Sequence, residues 1–226
     1  MASSNSNTKI NWHADILPRP TKKALDFFST QEWLRQSKWY LAGGTALALQ
    51  VGHRTSLDLD FFITQNDLSI ERLLAQFPKN LWITDIAREA TVYGRLLSAK
   101  VSFIAYPFFI PEEKFQSYGT VRVLDPRDIA VMKVIAISQR GKRRDFVDFY
   151  WYCNNREPLA DILRRLPKQY PTVAHNYHHI LKSFMYFKDA EEDPMPKIFF
   201  NATWKEIKEY FQREIPNITK EFLGLK

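Results

Sequence analysis

Gly43-Gly44-Thr45, followed after a short apolar helical stretch by Ser56-Leu57-Asp58-Leu59-Asp60-Phe61-Phe62, decides the reading of this chain. A glycine pair opening a helix offers bare backbone N–H groups to a phosphate. Two carboxylates on alternate positions of an apolar strand offer oxygens to a divalent cation. Together they imply a nucleotide-metal site.

The spacing carries the argument outward. In an extended segment the side chains of Asp58 and Asp60 leave the same face, with Cα atoms about 6–7 Å apart. Two such acids also describe the solvated face of an antiparallel sheet. Phe61-Phe62-Ile63 continues without alternation, which predicts a strand covered on both sides. There an unpaired carboxylate is costly unless a cation or a donor meets it, and Arg54 and Ser56 lie just upstream as donors.

With 226 residues, 45% hydrophobic and 15% aromatic, the chain can bury a substantial core. The single cysteine, Cys153, excludes an internal disulfide, and Met1 to Asn7 carries no basic segment followed by an apolar run. Pro107 and Pro111 interrupt the most apolar stretch, so no membrane partner is expected and the chain reads as cytoplasmic. A net charge of +7 biases it toward polyanions. Basic residues cluster at Arg140, Lys142, Arg143 and Arg144, then at Arg156, Arg164, Arg165 and Lys168; each cluster reads equally as a solvated helix face or a phosphate site.

The pattern predicts an α/β (α+β) chain: a mixed sheet followed by a helical C-terminal half. Residues 1–8 form a loose tail, 9–125 the sheet-bearing core and 126–226 the helical region. Helices are expected at 20–36, 45–51 and 69–77, and strands at 39–42, 57–63, 81–87, 91–97, 100–106 and 121–124. From Pro126 onward the pattern is helical, with breaks near Gly141, Pro158, Pro167 to Pro171 and Pro194 to Pro196. Lys133 is the one charge in Ile129 to Ile137, so it must either extend out of that buried helix or meet an anion. Asp145 and Asp148 share a helical face, and taken alone they read as first-turn partners of the helix dipole.

Gly43-Gly44-Thr45-Ala46-Leu47-Ala48-Leu49, His53-Arg54-x-Ser56-x-Asp58-Leu59-Asp60-Phe61-Phe62, Lys133 and Arg144-Asp145-Phe146-x-Asp148-x-Tyr150 fall in the order seen in a known family. Over residues 38 to 152 the chain resembles the AbiEii/AbiGii toxin family of nucleotidyltransferase-like proteins, to which the MenT toxins also belong. The resemblance implies a polymerase-β-like nucleotidyltransferase core. It further implies a toxin of a toxin–antitoxin or phage-defence pair, with a cognate antitoxin as partner, and transfer of a nucleotide from an NTP to RNA, the 3′ end of tRNA in some members. Carried over by position, Gly43, Gly44, Thr45, Arg54 and Ser56 would hold the nucleotide. Asp58 and Asp60 would bind catalytic Mg²⁺, with Mn²⁺ as the alternative ion. Lys133 would contact the phosphates, and Asp145 would belong to a late acidic motif.

One position departs from the pattern. Polymerase-β-like transferases commonly carry a third carboxylate on a later strand, and Lys100 to Tyr106 has Ser102 where that acid is sought. Either Asp145 or another acid completes the site, or the strand is misaligned, or the chain is an inactive nucleotide- or RNA-binding relative. A sugar transferase using Asp-x-Asp on a nucleotide-sugar diphosphate is a further alternative. His175, His178 and His179 have a spacing that suits a metal but fall outside the apolar stripe of Val173, Tyr177, Ile180, Leu181 and Phe184, and read as a polar helix face. Cys153 reads as a small packing residue. Tyr106 to Pro111 reads either as a partner-binding loop or as a buried strand end.

Overall fold

The structure, a computed structural model, describes residues 10–65 and 68–224. The tail expected at 1–8 lies outside the described residues. The first half runs α1 (Arg19–Phe28), α2 (Glu32–Gln36), β1 (Tyr40–Ala42), α3 (Gly43–Val51), β2 (Leu59–Ile63), α4 (Ile70–Leu74), β3 (Trp82–Arg88), β4 (Thr91–Leu96), β5 (Ala99–Ala105), β6 (Gln116–Tyr118) and β7 (Val121–Val123). The second half is helical: α5 (Pro126–Arg140), α6 (Arg143–Asn155), α7 (Leu159–Gln169), α8 (Tyr177–Ser183), α9 (Lys188–Glu191) and α10 (Trp204–Leu223). This is the α/β architecture with a mixed sheet and helical second half that the sequence implies. No helix of the described residues is long and apolar enough to cross a membrane.

The seven strands form one sheet in the order β3-β4-β5-β2-β1-β7-β6. β2 lies antiparallel to β1 and parallel to β5, while β1 runs parallel to β7. One face packs on α1, whose Thr21, Ala24, Leu25 and Phe28 are buried at helical spacing. Phe28 meets Phe61 edge-on at 4.8 Å, and Phe61 stacks on Phe103 of the neighbouring strand at 4.9 Å. Burying each such ring stabilises by about 1.5–3 kcal/mol, which holds β2 and β5 in register. The expected two-sided burial of β2 does not hold. Leu59 and Phe61 are fully buried, whereas Asp60 and Phe62 on the opposite face are only half-buried, because that face opens into a cleft.

Other departures have tertiary causes. The helix expected over 20–36 breaks at Ser29, where the backbone N–H and the hydroxyl of Thr120 bond the carbonyls of Ser29 and Phe28. Gly119 makes that docking sterically feasible: its φ is +61° and a Cβ there would lie 2.2 Å from the Ser29 carbonyl oxygen. The short edge strand β6 lacks apolar alternation and so carries no periodic signal. The helix expected over 69–77 is limited to α4, and the β4–β5 turn lies at Leu97-Ser98, both with positive φ.

α5 is the central helix of the second half. Asp125 caps its N-terminus by accepting the Arg127 N–H, Pro126 occupies the first turn, and Gly141 ends it with φ +51°. It packs on α3, α6, α7 and α8. Asp128, fully buried on α5, accepts the backbone N–H groups of Glu112 and Glu113 at 3.0 and 3.1 Å and the Gln169 side-chain amide at 2.5 Å. Burial pushes its carboxyl up to about 6. A raised carboxyl favours the folded state below pH 4 and loses that contribution as pH rises through 6. Asp128→Asn keeps an oxygen for the Glu112 and Glu113 N–H groups and can donate to Gln169 once that amide flips its unpartnered Oε1 toward position 128, so it should raise the melting temperature at pH 8 and barely change it at pH 4. The upper bound is about 3 kcal/mol, and a lower melting temperature at pH 8 would contradict it.

Candidate active site

β1 ends at Ala42 and the chain turns at once into α3 through Gly43, whose φ is +70°. No side chain caps this helix start, so its first N–H groups stay available to an anion. A Cβ on Gly43 would come 3.1 Å from Asp60 Oδ2, which shows how closely the turn and the acid approach. Ala42 pairs with Asp60 across the β1–β2 ladder, and Asp60 pairs with Ser102 across β2–β5. The glycine turn, the acid and the serine thus lie side by side at one level of the sheet. Asp58 lies just before β2, one residue outside the strand.

Gly43, Gly44, Arg54, Ser56, Asp58, Asp60 and Lys133 line a single cleft of about 480 Å³ between the sheet and α5, a size suited to a small-molecule ligand. Ser102, Arg140 and Arg144 line it too. Ser102 donates its hydroxyl to Asp60 Oδ1 at 2.7 Å, so the serine stands beside the acid on the neighbouring strand. Asp60 has no ion-pair partner among the described residues. Burial raises its pKa and the neighbouring Asp58 charge adds to the rise, against opposing effects of the Ser102 hydrogen bond and of the more distant Arg140 and Arg144 charges. A half-buried carboxylate beside a second acid, with no direct ion pair, is the chemistry a divalent cation satisfies. No group of three or more His, Cys, Asp or Glu side chains is placed to hold a metal among the described residues. Two carboxylates are nevertheless the usual protein share of a Mg²⁺ shell completed by water and phosphate oxygens.

Beneath the glycine turn lies a buried ionic network. Arg54 grips both oxygens of Asp148, and His53 Nε2 reaches Asp148 Oδ1 at 2.7 Å. Lys133 bridges Asp148 at 2.6 Å and Asp145 at 2.7 Å, and Arg140 adds Asp145 at 3.0 Å. Burial drives both carboxyls upward, but Arg54 and Lys133 outweigh it at Asp148, and Lys133 and Arg140 at Asp145; both stay ionised, Asp148 well below its ordinary range. Burial lowers the His53 pKa. The network therefore has three cations against two carboxylates, and the surplus positive charge borders the cleft. Lys133 has met anions rather than extending to solvent.

Two sequence-predicted site residues are placed elsewhere. Thr45 is buried and is not among the cleft-lining residues; its hydroxyl bonds Ser56 Oγ at 2.8 Å and the Asp58 carbonyl, tying α3 to the acid segment. Asp145 is fully buried behind Lys133 and Arg140 and does not line the cleft, so it does not supply a third acid there. Arg54 lines the cleft, yet its guanidinium is committed to Asp148 and the Thr55 carbonyl. Its backbone is held by the C-terminal half: it bridges Ile198, Thr55 N–H bonds the Lys197 carbonyl, and Phe199 N–H bonds the His53 carbonyl.

In the sequence Arg140 and Arg144 belong to one basic cluster. The structure separates them: Arg144 points to Asp58 at 3.5 Å, whereas Lys142 and Arg143 pair with Asp193 and Glu191. Arg140 was recoverable, since it follows Lys133 by seven residues and shares its helix face. In the second cluster Arg164 pairs with Asp161 and Glu221, Arg165 with Glu157 and Lys168 with Glu112. His175 and His179 bond the carbonyls of Tyr170 and Ser138.

Gly44 explains why the motif needs a second glycine. A Cβ there would sit 2.2 Å from Arg54 Nη2 and 3.3 Å from Asp148 Oδ2. Gly44→Ala should push the arginine off its carboxylate and cost about 1–3 kcal/mol, read by thermal melting; an unchanged melting temperature would refute the packing argument.

A family model described as "Nucleotidyl transferase AbiEii toxin, Type IV TA system" matches residues 34–92 and 92–223. The chain belongs to the AbiEii family of nucleotidyl transferase toxins. An uncharacterized protein of Aquifex aeolicus (strain VF5), aq_aa25, is 33% identical over 193 residues, covering 82% of this chain and 88% of that one. Among solved structures, MenT4, a nucleotidyltransferase toxin from Mycobacterium tuberculosis H37Rv, superposes with a TM-score of 0.52 at 15% identity, over 92% of this chain and 87% of that one. JHP933 from Helicobacter pylori gives 0.51 at 17% identity, over 89% and 92%. These likenesses show that the AbiEii chain has a nucleotidyltransferase fold.

Proposed function

We propose that this AbiEii-family transferase moves a nucleotide from an NTP to the 3′ end of an RNA, with tRNA as the acceptor class, and acts as a toxin restrained by a cognate antitoxin. The observation that carries the reading is that the glycine turn and the two acids open onto one cleft with cations on its opposite wall. The N–H groups at the α3 start, with Gly43, Gly44 and Ser56, hold the triphosphate. Lys133, Arg140 and Arg144 offset its charge. Asp58 and Asp60 hold Mg²⁺, which when bound neutralises the triphosphate and polarises the α-phosphoryl group. Asp145, Asp148, His53 and Arg54 position this wall.

The reaction is in-line phosphoryl transfer. The RNA 3′ oxygen bonds the α-phosphorus, the bond to the α–β bridging oxygen breaks, pyrophosphate leaves with the electron pair, and the hydroxyl proton passes to solvent. Positioning and charge neutralisation account for most of the catalysis in such chemistry. Ser102 holds Asp60 in place where related folds use a third acid, so the site is expected to work with two carboxylates.

Incubation with each labelled NTP, Mg²⁺ and total tRNA should give labelled RNA that disappears with EDTA. Tight NTP binding with no label from any of the four NTPs and varied RNAs would select the inactive nucleotide-binding reading instead.

A further inference from the structure

The cleft continues onto an open sheet face. Paired residues on neighbouring strands point to the same side. Asp60 pairs with Ser102, Ser102 with Tyr93, and Tyr93 with Ile86, so one row crosses β2, β5, β4 and β3 on the cleft side. Tyr93 stands two strand spacings, about 10 Å, from Asp60. The opposite face of these strands is packed, with Val92, Leu96, Val101 and Phe103 buried. On the cleft side Tyr93 is 44% exposed, Ile86 42% and Ile83 58%.

Charges frame these apolar groups. Lys100, Arg95 and Arg88 are exposed and fall on the same side by register, Lys100 opposite Arg95 and Arg88 opposite Thr91. Arg95 pairs with Asp85 at 3.0 Å, while Lys100 and Arg88 form no ion pair among the described residues. Three cations against one acid, around an exposed tyrosine in line with the reacting centre, complement a single polynucleotide strand. A protein strand added to the β3 edge fits less well, because the ladder is bulged between Thr84 and Ile86 and an irregular edge resists pairing.

We propose that this face of β3, β4 and β5 is the acceptor platform: the single-stranded 3′ end of the RNA lies across it, a base stacks on Tyr93, and Lys100 and Arg88 contact phosphates. The assignment rests on the transfer reaction proposed above and adds where the acceptor binds. It places the terminal hydroxyl at Asp60 by threading the strand along the Ile86-Tyr93-Ser102 row.

Fluorescence anisotropy with a labelled ten-nucleotide RNA bearing a free 3′ end tests it on the full chain. Tyr93→Ser should weaken binding about tenfold. Lys100→Ala should reduce the slope of log K against log salt by about 0.7. Both should keep the thermal upshift given by Mg²⁺ and NTP, showing an intact nucleotide site, and 4-thiouridine next to the RNA terminus should crosslink to β4. RNA affinity unchanged in both variants, while Asp60→Asn abolishes transfer, would overturn the platform and leave the transfer reaction standing. Loss of the upshift in both variants would also overturn it. So would wild-type dimers that Tyr93→Ser converts to monomers at unchanged RNA affinity, since the face would then join copies of the chain. Tyr93-dependent RNA binding without transfer from any NTP would support the platform and sink the reaction.

Discussion

Asp60→Asn is expected to reduce nucleotide transfer by at least about 10³-fold, equivalent to about 4 kcal/mol of transition-state stabilisation, while making the metal-free protein more stable. Both effects come from one cause. Asp60 is a carboxylate lodged between Ser102 and the glycine turn without an ion pair, and burial raises its pKa. Such a group favours the fold while protonated, and that contribution is lost as pH rises through its folded pKa. The amide keeps the Ser102 hydrogen bond and removes the charge. In EDTA the variant should melt above wild type by a few degrees at pH 8, and the gap should close at low pH. With Mg²⁺ and NTP the order should reverse, because only wild type gains binding energy from the ion. Transfer within tenfold of wild type would remove Asp60 from the metal site, and equal melting in EDTA would remove the argument from its burial.

The largest effect on stability is expected at Asp148. Its carboxylate receives Arg54, His53 and Lys133 and is fully buried. Asp148→Ala leaves a guanidinium and an ammonium short of their counter-charge in the interior, an arrangement that costs about 3–5 kcal/mol. In a chain of this length that corresponds to a Tm lower by roughly 6–20 °C. Its depressed pKa sets the pH dependence. The stabilisation is present above the ordinary carboxylate range and fades as pH falls through the folded value, so the two proteins should converge in acid. A variant melting within 2 °C of wild type at pH 7 would show that the network is dispensable.

What the sequence disclosed and what it hid divide by range. The glycine turn and the Asp58-x-Asp60 spacing depend on neighbours within a few residues, and the cleft contains them. Alternation also placed β3, β4 and β5 within a residue or two. The Arg54 grip on Asp148 joins positions 94 apart, and no local pattern marks it. Thr45 and Asp145 had the same residue types as ligand-binding groups, yet their partners, Ser56 and the Lys133-Arg140 pair, had already claimed them. The α1–α2 break was hidden for a similar reason, since its cause is Thr120. The acceptor face was legible only through register, because Tyr93 acquires meaning from standing opposite Ser102.

The backbone tie between 53–55 and 197–199 has a consequence for synthesis. During translation the glycine turn and both acids emerge from the ribosome long before Lys197 to Phe199. Until that late segment arrives, the loop bearing Arg54 lacks the tie that fixes it under the turn. The wall beneath the glycine turn therefore takes its final form only after the second half has been synthesised.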